Sequence, residues 1–204
     1  MTVNHEHTCD TGYFDRTACS EPCDTMHAYC SVCGTRQDQC VFYGSVKVLG
    51  IDASLTKTGL ALLDGSTLLS KGGVGDDRLS RLYEDVYQAA PGASLAVLED
   101  LPLHGHGAAL TGRAQGVVRL ALHRLWVPVA SVAPATLKKW ATGNGRATKP
   151  QMIEAARRLG CTTEKLSDDE ADAYLLRMLG LAWLDGQRDT PGDWKAWTAW
   201  LKTL

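Results

Sequence analysis

The sequence lacks the features that would carry a chain into or across a membrane. None of its apolar runs approaches the roughly 20 residues that a transmembrane helix needs. Its first seven residues, MTVNHEH, do not show the basic-then-apolar pattern of a secretory signal. Internal repeats and low-complexity tracts are missing as well. We therefore expect a soluble, cytoplasmic protein whose 204 residues bury one sizeable core.

Acidic residues are nearly absent from the middle of the chain. Between Thr111 and Arg158 a single acid, Glu154, stands against nine basic residues: Arg113, Arg119, Arg124, Lys138, Lys139, Arg146, Lys149, Arg157 and Arg158. The net charge of −2 would by itself argue against a nucleic-acid partner. This segregation of charge instead indicates a surface that faces phosphate groups, although an ordinary solvated face has the same composition.

Cysteine is almost confined to the first 40 residues, which hold six of the seven, while Cys161 stands alone. Residues 1–43 form a distinct segment with too few apolar side chains to fold without a staple. Without a secretory signal, a cysteine cluster favours a metal site over a disulfide framework. The sequence therefore predicts a small N-terminal zinc-stabilised segment.

The predicted zinc ligands come from two pairs of cysteines. The spacing Cys30-x2-Cys33, followed by Gly34, is typical of a zinc knuckle, and Cys19-x3-Cys23 supplies the other two thiolates. Four thiolates leave no open position for water, so we interpret the ion as structural rather than catalytic. Three alternative ligands remain open: Cys9, His27 and Cys40. The nine cysteines and histidines of the segment would suffice for two ions.

The second region, residues 45–184, begins with the stretch VLGIDASLTKTG, residues 48–59. Its apolar, mostly branched start predicts a buried strand with Asp52 at the end. A Ser/Thr/Gly turn and a second apolar run ending at Asp64-Gly65 predict an antiparallel return strand. A carboxylate at the tip of a central strand is costly unless a cation meets it, although Asp52 would also suit a surface turn.

Hydrophobic periodicity predicts a mixed α/β fold for this region, a sheet covered by helices. Ser167, with Glu170 three residues on, predicts a capping box at one helix start. Residues 185–204 form a Trp-rich tail helix that packs on the core or faces a partner. The predicted strands cover about 46–52, 58–64, 66–72, 94–99 and 127–132, and the predicted helices about 77–90, 107–125, 134–140, 149–159 and 168–184.

Four acids fall where such a fold brings side chains together. Asp52 and Glu99 each end a predicted strand, and Asp169 and Asp172 are i,i+3 neighbours at the start of a helix. Acids at a helix start are also ordinary capping residues, which accounts for Asp168 and Glu170. If the four converge, their mutual repulsion calls for divalent cations, and hard oxygen ligands suit Mg²⁺ or Mn²⁺. Two such ions support hydrolysis of a phosphodiester.

Residues 46–184 resemble the RuvC-type Holliday junction resolvases of bacteria and phages, within the RNase H-like superfamily. The resemblance rests on Gly50-Ile51-Asp52-x-Ser54-Leu55-Thr56-x-Thr58-Gly59, on Glu99 closing a strand and on Thr111-Gly-Arg-Ala-Gln-Gly-Val. It continues through Leu137-Lys138-Lys139 to Thr142-Gly-Asn-Gly-Arg146-Ala-Thr-Lys149, and through Asp169-x-x-Asp172-Ala173. Members commonly carry an aromatic wedge soon after the second acid, where this chain has Leu101-Pro-Leu-His-Gly-His.

The resemblance implies an RNase H-like mixed five-stranded sheet flanked by helices. It also implies a homodimer that cleaves branched DNA with two Mg²⁺ or Mn²⁺ ions per site and no nucleotide cofactor. The family's catalytic acids map onto Asp52, Glu99, Asp169 and Asp172, and its lysines map onto Lys138 and Lys149. The expected DNA-binding residues are Lys138, Lys139, Arg146, Lys149 and Arg113.

Three other functions compete with this interpretation. The stretch around Asp52 also resembles the phosphate loop of sugar kinases and actin-like ATPases, but those proteins need two related lobes and a second phosphate loop. A module that binds branched DNA without cutting it would not need all four acids and both lysines. A broader nuclease for flaps and forks differs only in its substrate profile, which a cleavage assay must decide.

Overall fold

A computed structural model describes residues 46–100, 108–186 and 194–203. The chain divides into two units, Met1–Val46 and Lys47–Leu204. The predicted zinc ligands Cys19, Cys23, Cys30 and Cys33 lie outside the described residues, as do the alternatives Cys9, His27 and Cys40. The division into a zinc segment, a nuclease domain and a tail therefore stays a prediction. Within the described residues, no helix has the length and apolar character to cross a membrane.

The second unit is built on a five-stranded mixed sheet, as predicted. Its spatial order is β3-β2-β1-β4-β5, in which β1 runs antiparallel to β2 and parallel to β4. The outer pairs are β2–β3, antiparallel, and β4–β5, parallel. The strands are β1 (Val48–Asp52), β2 (Lys57–Ala61), β3 (Thr67–Lys71), β4 (Leu95–Glu99) and β5 (Val129–Val132).

Helices cover both faces of the sheet. Alternate side chains of a strand point to opposite faces, so each face has its own apolar core. Leu49, Ile51 and Leu98 face two of the helices, while Val48, Leu95 and Val97 face the other four. The first pair is α1 (Gly75–Ala89) and α2 (Ala108–Arg124), and the second group is α3 (Pro134–Thr142), α4 (Lys149–Arg158), α5 (Asp168–Gly186) and α6 (Trp194–Leu201).

The element boundaries follow the predictions closely, with two differences. Helix α5 continues to Gly186 and α6 spans Trp194–Leu201, where the sequence predicts a tail helix over 185–204. Strand β2 ends at Ala61 rather than near residue 64. The backbone N–H of Leu62 already donates to Ser66 O, and the Asp64 carboxylate accepts the N–H and hydroxyl of Ser66. These bonds close a hairpin turn in which Gly65 has a φ of 93°, so the apolar Leu62 and Leu63 belong to the turn.

The Trp-rich tail helix α6 packs on the core. Trp197 is 2% exposed, meets Trp183 edge-on at a ring separation of 5.1 Å, and donates from Nε1 to Ser131 O over 3.0 Å. That carbonyl belongs to the edge strand β5, so the helix occupies part of an otherwise open strand edge. Of the two expectations for the tail, packing against the core is the one that these contacts support.

Candidate active site

The site begins with two carboxylates on neighbouring parallel strands. Ile51 of β1 pairs with Leu98 of β4, so Asp52 and Glu99 follow side by side at the carboxyl ends of their strands. Both lie at positions that alternate with buried core residues of the opposite face, which directs them to the face covered by α5. The two carboxyl groups are close enough that the Glu99 charge adds to the burial that raises the pKa of Asp52.

Helix α5 brings the other two acids to the same place by packing directly on the backbone of the sheet. A Cβ added to Gly50 would lie 2.0 Å from Ala173 O, and one added to Gly59 would lie 2.0 Å from Asp169 O. Only glycine permits so close an approach, since real Cβ atoms do not come within 3.0 Å of such atoms. The glycines of β1 and β2 therefore set the distance of Asp169 and Asp172 from Asp52.

The four acids act on one another electrostatically. Burial, followed by the charges of Glu99, Asp172 and Asp169, raises the pKa of Asp52 to about 8. Burial and the Asp172 charge raise the pKa of Glu99 to about 7, and burial raises that of Asp172 to about 6. Burial and the neighbouring Asp168 raise the pKa of Asp169. The predicted convergence of acids from two strands and a helix is present in the structure.

The donor set fits a hard divalent cation. The Asp172 Oδ1 atom is buried and has no hydrogen-bond partner. This carboxylate oxygen is therefore available as a ligand for a cation. Carboxylate oxygens are the ligands that Mg²⁺ and Mn²⁺ prefer. Among the residues that the structure describes, no group of three or more His, Cys, Asp or Glu side chains is arranged to hold a metal ion. The two-ion assignment therefore stays a prediction.

The two predicted lysines lie at different depths in the site. Lys138 is close enough to the acids that its charge partly offsets the burial that raises the pKa of Glu99 and Asp172. Lys149 forms an ion pair with Asp168, next to the predicted ligand Asp169, and its side chain is 78% exposed. Lys138 thus borders the acid cluster, while Lys149 stands at its solvent-exposed rim.

The basic stretch divides into free and engaged side chains. Arg157 donates to the backbone oxygens of Cys161 and Glu164, and Arg158 donates to Ala141 O, so these two brace the fold. Arg119 donates to the Ser131 hydroxyl over 2.7 Å. The expected DNA contacts are exposed or half-exposed: Lys138, Lys139, Arg146, Lys149 and Arg113. The nine-to-one charge count therefore overstates the basic surface.

The capping box at the start of α5 is confirmed. The Ser167 hydroxyl accepts the Glu170 N–H over 3.3 Å, while Glu170 Oε2 accepts the Ser167 hydroxyl over 2.6 Å and its N–H over 3.2 Å. Thr67 of β3 donates to the other Glu170 oxygen. Glu170 is therefore a structural acid that fixes the helix start bearing Asp169.

One residue of the site was not predicted from the sequence. Arg78 of α1 is 2% exposed and donates from its guanidinium to Leu55 O, Thr58 Oγ1 and both oxygens of Ser70. Leu55 lies in the turn that follows Asp52, and the Thr58 hydroxyl in turn donates to Ser54 O over 2.8 Å. Arg78 therefore holds the turn beside Asp52. Its only sequence signal is an Arg one turn before Leu82 on the buried side of α1.

Comparison with known proteins identifies one family. Residues 104–178 match the family model "Crossover junction endodeoxyribonuclease RuvC". A protein of that name from Salinibacter ruber is 32% identical over 173 residues, covering 75% of this chain and 92% of the relative. Another, from Rhodopirellula baltica, is 36% identical over 152 residues, covering 65% of this chain and 84% of the relative.

Solved structures agree on the fold. A Thermus thermophilus RuvC structure superposes with a TM-score of 0.56 at 24% identity, over 68% of this chain and 96% of the other. T. thermophilus RuvC in complex with a Holliday junction substrate gives a TM-score of 0.55 at 22% identity, over 65% and 91%. The described sheet and its helices are therefore those of this fold. Residues 101–107, where the wedge comparison falls, lie outside the described residues.

Proposed function

The chain belongs to the RuvC family of crossover junction endodeoxyribonucleases, and from this premise we propose that it is an endonuclease that nicks four-way DNA junctions. The premise rests on curated relatives that the chain spans almost completely, 92% in the Salinibacter ruber protein. The single observation that carries the activity is the meeting of Asp52, Glu99, Asp169 and Asp172 from three elements. So many half-buried acids in one place repel one another, and bound cations would relieve that repulsion.

The proposed ligands of two Mg²⁺ or Mn²⁺ ions are Asp52, Glu99, Asp169 and Asp172. When bound, such ions activate water and stabilise the leaving oxygen of a phosphodiester. The chain's own contribution is to hold the carboxylates on a rigid frame, since two come from buried strands and two from a helix seated on Gly50 and Gly59. Lys138 adds a positive charge beside Glu99 and Asp172, where the phosphate group of a bound strand would approach.

The DNA-binding surface is proposed to run from the acid cluster along α3 and the start of α4. Gly143 has a φ of 80° at the end of α3, and Asn144 Oδ1 accepts the Arg146 N–H over 3.0 Å, which gives the connecting loop a defined shape. Lys139, Arg146 and Lys149 project from these elements into solvent. Exposed cations beside buried acids bind the sugar–phosphate backbone without reading bases, as a structure-specific enzyme requires.

A homodimer is the proposed working form. Resolving a four-way junction requires cuts in two strands related by symmetry, and a two-fold dimer supplies one site for each. Light scattering after size-exclusion chromatography tests this, with twice the 22.0 kDa chain mass as the expected result. A monomer both alone and on the junction would contradict it.

The N-terminal segment is proposed to hold structural zinc through Cys19, Cys23, Cys30 and Cys33. The support is the cysteine spacing alone, and Cys9, His27 and Cys40 stay alternative ligands. Elemental analysis of purified protein checks the assignment, with one or two zinc atoms per chain expected. Protein without zinc after purification in metal-containing buffer would remove it. We place the enzyme in the cytoplasm of a bacterium or a phage-infected host, where branched DNA arises.

A cleavage assay on synthetic DNA tests the activity. The protein is incubated with a four-way junction, a flap, a fork and plain duplex, each with Mg²⁺ or EDTA. We expect paired nicks in the junction with Mg²⁺ alone, and ATP hydrolysis measured in parallel at background. Equal cutting of flaps and forks would indicate a broader nuclease, and tight binding without cutting would indicate a binding module.

A further inference from the structure

Two lysines face each other on the sheet beside the acid cluster. Lys57 begins β2 and is directly paired with Lys71 at the end of β3 in the antiparallel register. Directly opposed residues share a face and stand about 4.5–5.5 Å apart at Cβ, where like charges repel. Both side chains are exposed. Within the described part of the chain, neither lysine has an acid within ion-pairing distance.

The pair lies on the face that carries the active site. Gly59, two residues along β2 from Lys57, is the glycine against which Asp169 O is seated. Thr67, four residues before Lys71 on β3, donates to Glu170 of the same helix start. Because a strand repeats every two residues, Lys57 and Lys71 point to this face, just beyond the N-terminus of α5. Lys57 therefore lies on the same face of the sheet as the helix start that bears Asp168 and Asp169.

The two flanks of the cluster therefore carry separate cations. Lys138 and Lys149 border the cluster from α3 and α4, whereas Lys57 approaches it from β2. Protection of an open strand edge accounts for a lysine on β3, which is the edge strand. It does not account for Lys57, because β2 is an interior strand. Two like charges side by side are stable only when solvated or when an anion lies across them.

We propose that Lys57 and Lys71 form a phosphate clamp that binds the backbone of the DNA strand on the side of the acids away from Lys138. The strand then crosses the acid cluster held at both ends, by α3 and α4 on one side and by the lysine pair on the other. This inference rests on the proposed function. It adds a second anchoring surface, outside the basic stretch of residues 111–158.

The test measures how junction binding depends on salt. Kd for a four-way junction is measured by fluorescence anisotropy between 50 and 300 mM salt, with Asp52→Asn as the parent so that cutting is blocked. Lys57→Gln/Lys71→Gln is compared with the parent, and Lys47→Gln, immediately before β1 and so at the opposite end of that strand from Asp52, is the control. Each phosphate contact contributes about 0.9 to the slope of log Kd against log salt, so the double variant should lose between 1 and 2.

At 100 mM salt we expect the double glutamine variant to bind the junction at least about tenfold more weakly than the parent. Lys57→Arg/Lys71→Arg, which keeps both charges, should bind within about twofold of the parent. An unchanged slope in the glutamine variant, with the parent binding normally, overturns the clamp and leaves the proposed function intact. Aggregation with an unchanged slope identifies Lys71 as an edge-protecting residue only. A parent that does not prefer the junction over duplex overturns the proposed function itself. The arginine variant is measured whether or not the glutamine variant folds.

Discussion

Gly59 of β2 and Asp169 of α5 are in backbone contact, so closely that a Cβ on Gly59 would lie 2.0 Å from Asp169 O. No rotation of a side chain can relieve that overlap, because both groups belong to the main chain. The strand that follows the Asp52 turn and the helix that carries two acids are thus joined without any intervening side chain. The geometry of the cluster depends on this junction of two backbones.

Gly59→Ala is expected to abolish cleavage while leaving a partly folded protein. The added methyl group must push α5 away from β2, which separates Asp169 from Asp52 and opens packing gaps along the helix. We expect the free energy of unfolding to fall by about 2–4 kcal/mol, as for other overpacked cores. Thermal unfolding and single-turnover cleavage of a junction measure the two effects.

Gly116→Ala is the matched control for that change. Gly116 lies on the exposed side of α2, and a Cβ there meets nothing within 4 Å. Replacing a glycine inside a helix by alanine should stabilise the protein by about 0.5 to 1 kcal/mol and leave cleavage unchanged. Equal activity losses in both variants would show that the close approach at Gly59 does not control the site.

Asp52→Asn should remove Mg²⁺-dependent nicking and keep junction binding. The amide cannot replace a charged oxygen ligand, so cleavage is expected to fall at least about a hundredfold, the order seen when one electrostatic contributor to catalysis is lost. The exposed lysines and arginines still bind the backbone, so Kd should change less than about threefold. Cleavage at the parental rate would contradict the assignment of Asp52 as an ion ligand.

The sequence was sufficient to predict the acids because each one interrupts a strong local pattern. Asp52 and Glu99 end apolar strands, and a carboxylate at the tip of a buried strand has few structural explanations. The helix start at Asp168 was equally visible through the capping box of Ser167 and Glu170. Together with the order of the elements, these signals predicted a mixed sheet covered by helices, and the family resemblance supplied the five-stranded RNase H-like form of that sheet and the set of four catalytic acids.

The residues that escaped prediction depend on pairings between distant segments. Arg78 resembles any basic residue of an amphipathic helix until the register of β2 and β3 puts Thr58 and Ser70 beside it. Lys57 and Lys71 are 14 positions apart, and only the antiparallel register makes them neighbours. Conversely, Arg157 and Arg158 added to the basic count although they bind backbone oxygens. Hydrophobic periodicity along the sequence does not predict such contacts between distant segments.

Stability of the metal-free protein should decrease as the pH rises from 5 to 8. The pKa of Asp52 is about 8 and that of Glu99 about 7 in the folded chain, against ordinary values near 4 when unfolded. Between those values the folded state holds protons that the unfolded state has released, so the free energy of unfolding falls by up to about 1.4 kcal/mol per pH unit for each such group. Above about pH 8 the loss is complete.

Melting temperatures in EDTA and in Mg²⁺ measure this linkage. Asp52→Asn should flatten the EDTA curve, and Mg²⁺ should stabilise the parent more at pH 8 than at pH 5, because cations compete with protons for the same oxygens. Asp64 and Asp168, whose pKa values are lowered, lose their contributions only at more acidic pH. Identical pH profiles for parent and Asp52→Asn would contradict the raised pKa of Asp52 in the folded chain.

Lys149→Ala should reduce cleavage far more than stability. The side chain is 78% exposed and its ion pair with Asp168 is solvated, so the melting temperature should not change measurably. Loss of a cation at the rim should slow single-turnover cleavage by at least about tenfold. Asp168→Asn breaks the same ion pair while keeping the lysine, and should cut normally. An equal defect in both variants would mean that the ion pair, and not contact with DNA, is what Lys149 provides.

Arg78→Met should destabilise the protein and disturb the turn beside Asp52. The change removes the Arg78 donor from oxygens of Leu55, Thr58 and Ser70, and since an unpaired buried acceptor costs about 1–3 kcal/mol, a total loss of at least about 3 kcal/mol is expected. Arg81→Met, one turn along the exposed side of α1, is the control and should be neutral. Arg78→Lys keeps the charge but not the fork of donors. If the fork positions the turn, Arg78→Lys will bind junctions normally yet need more Mg²⁺ for half-maximal cleavage, and a parental Mg²⁺ dependence in a folded Arg78→Lys would limit Arg78 to a stabilising role.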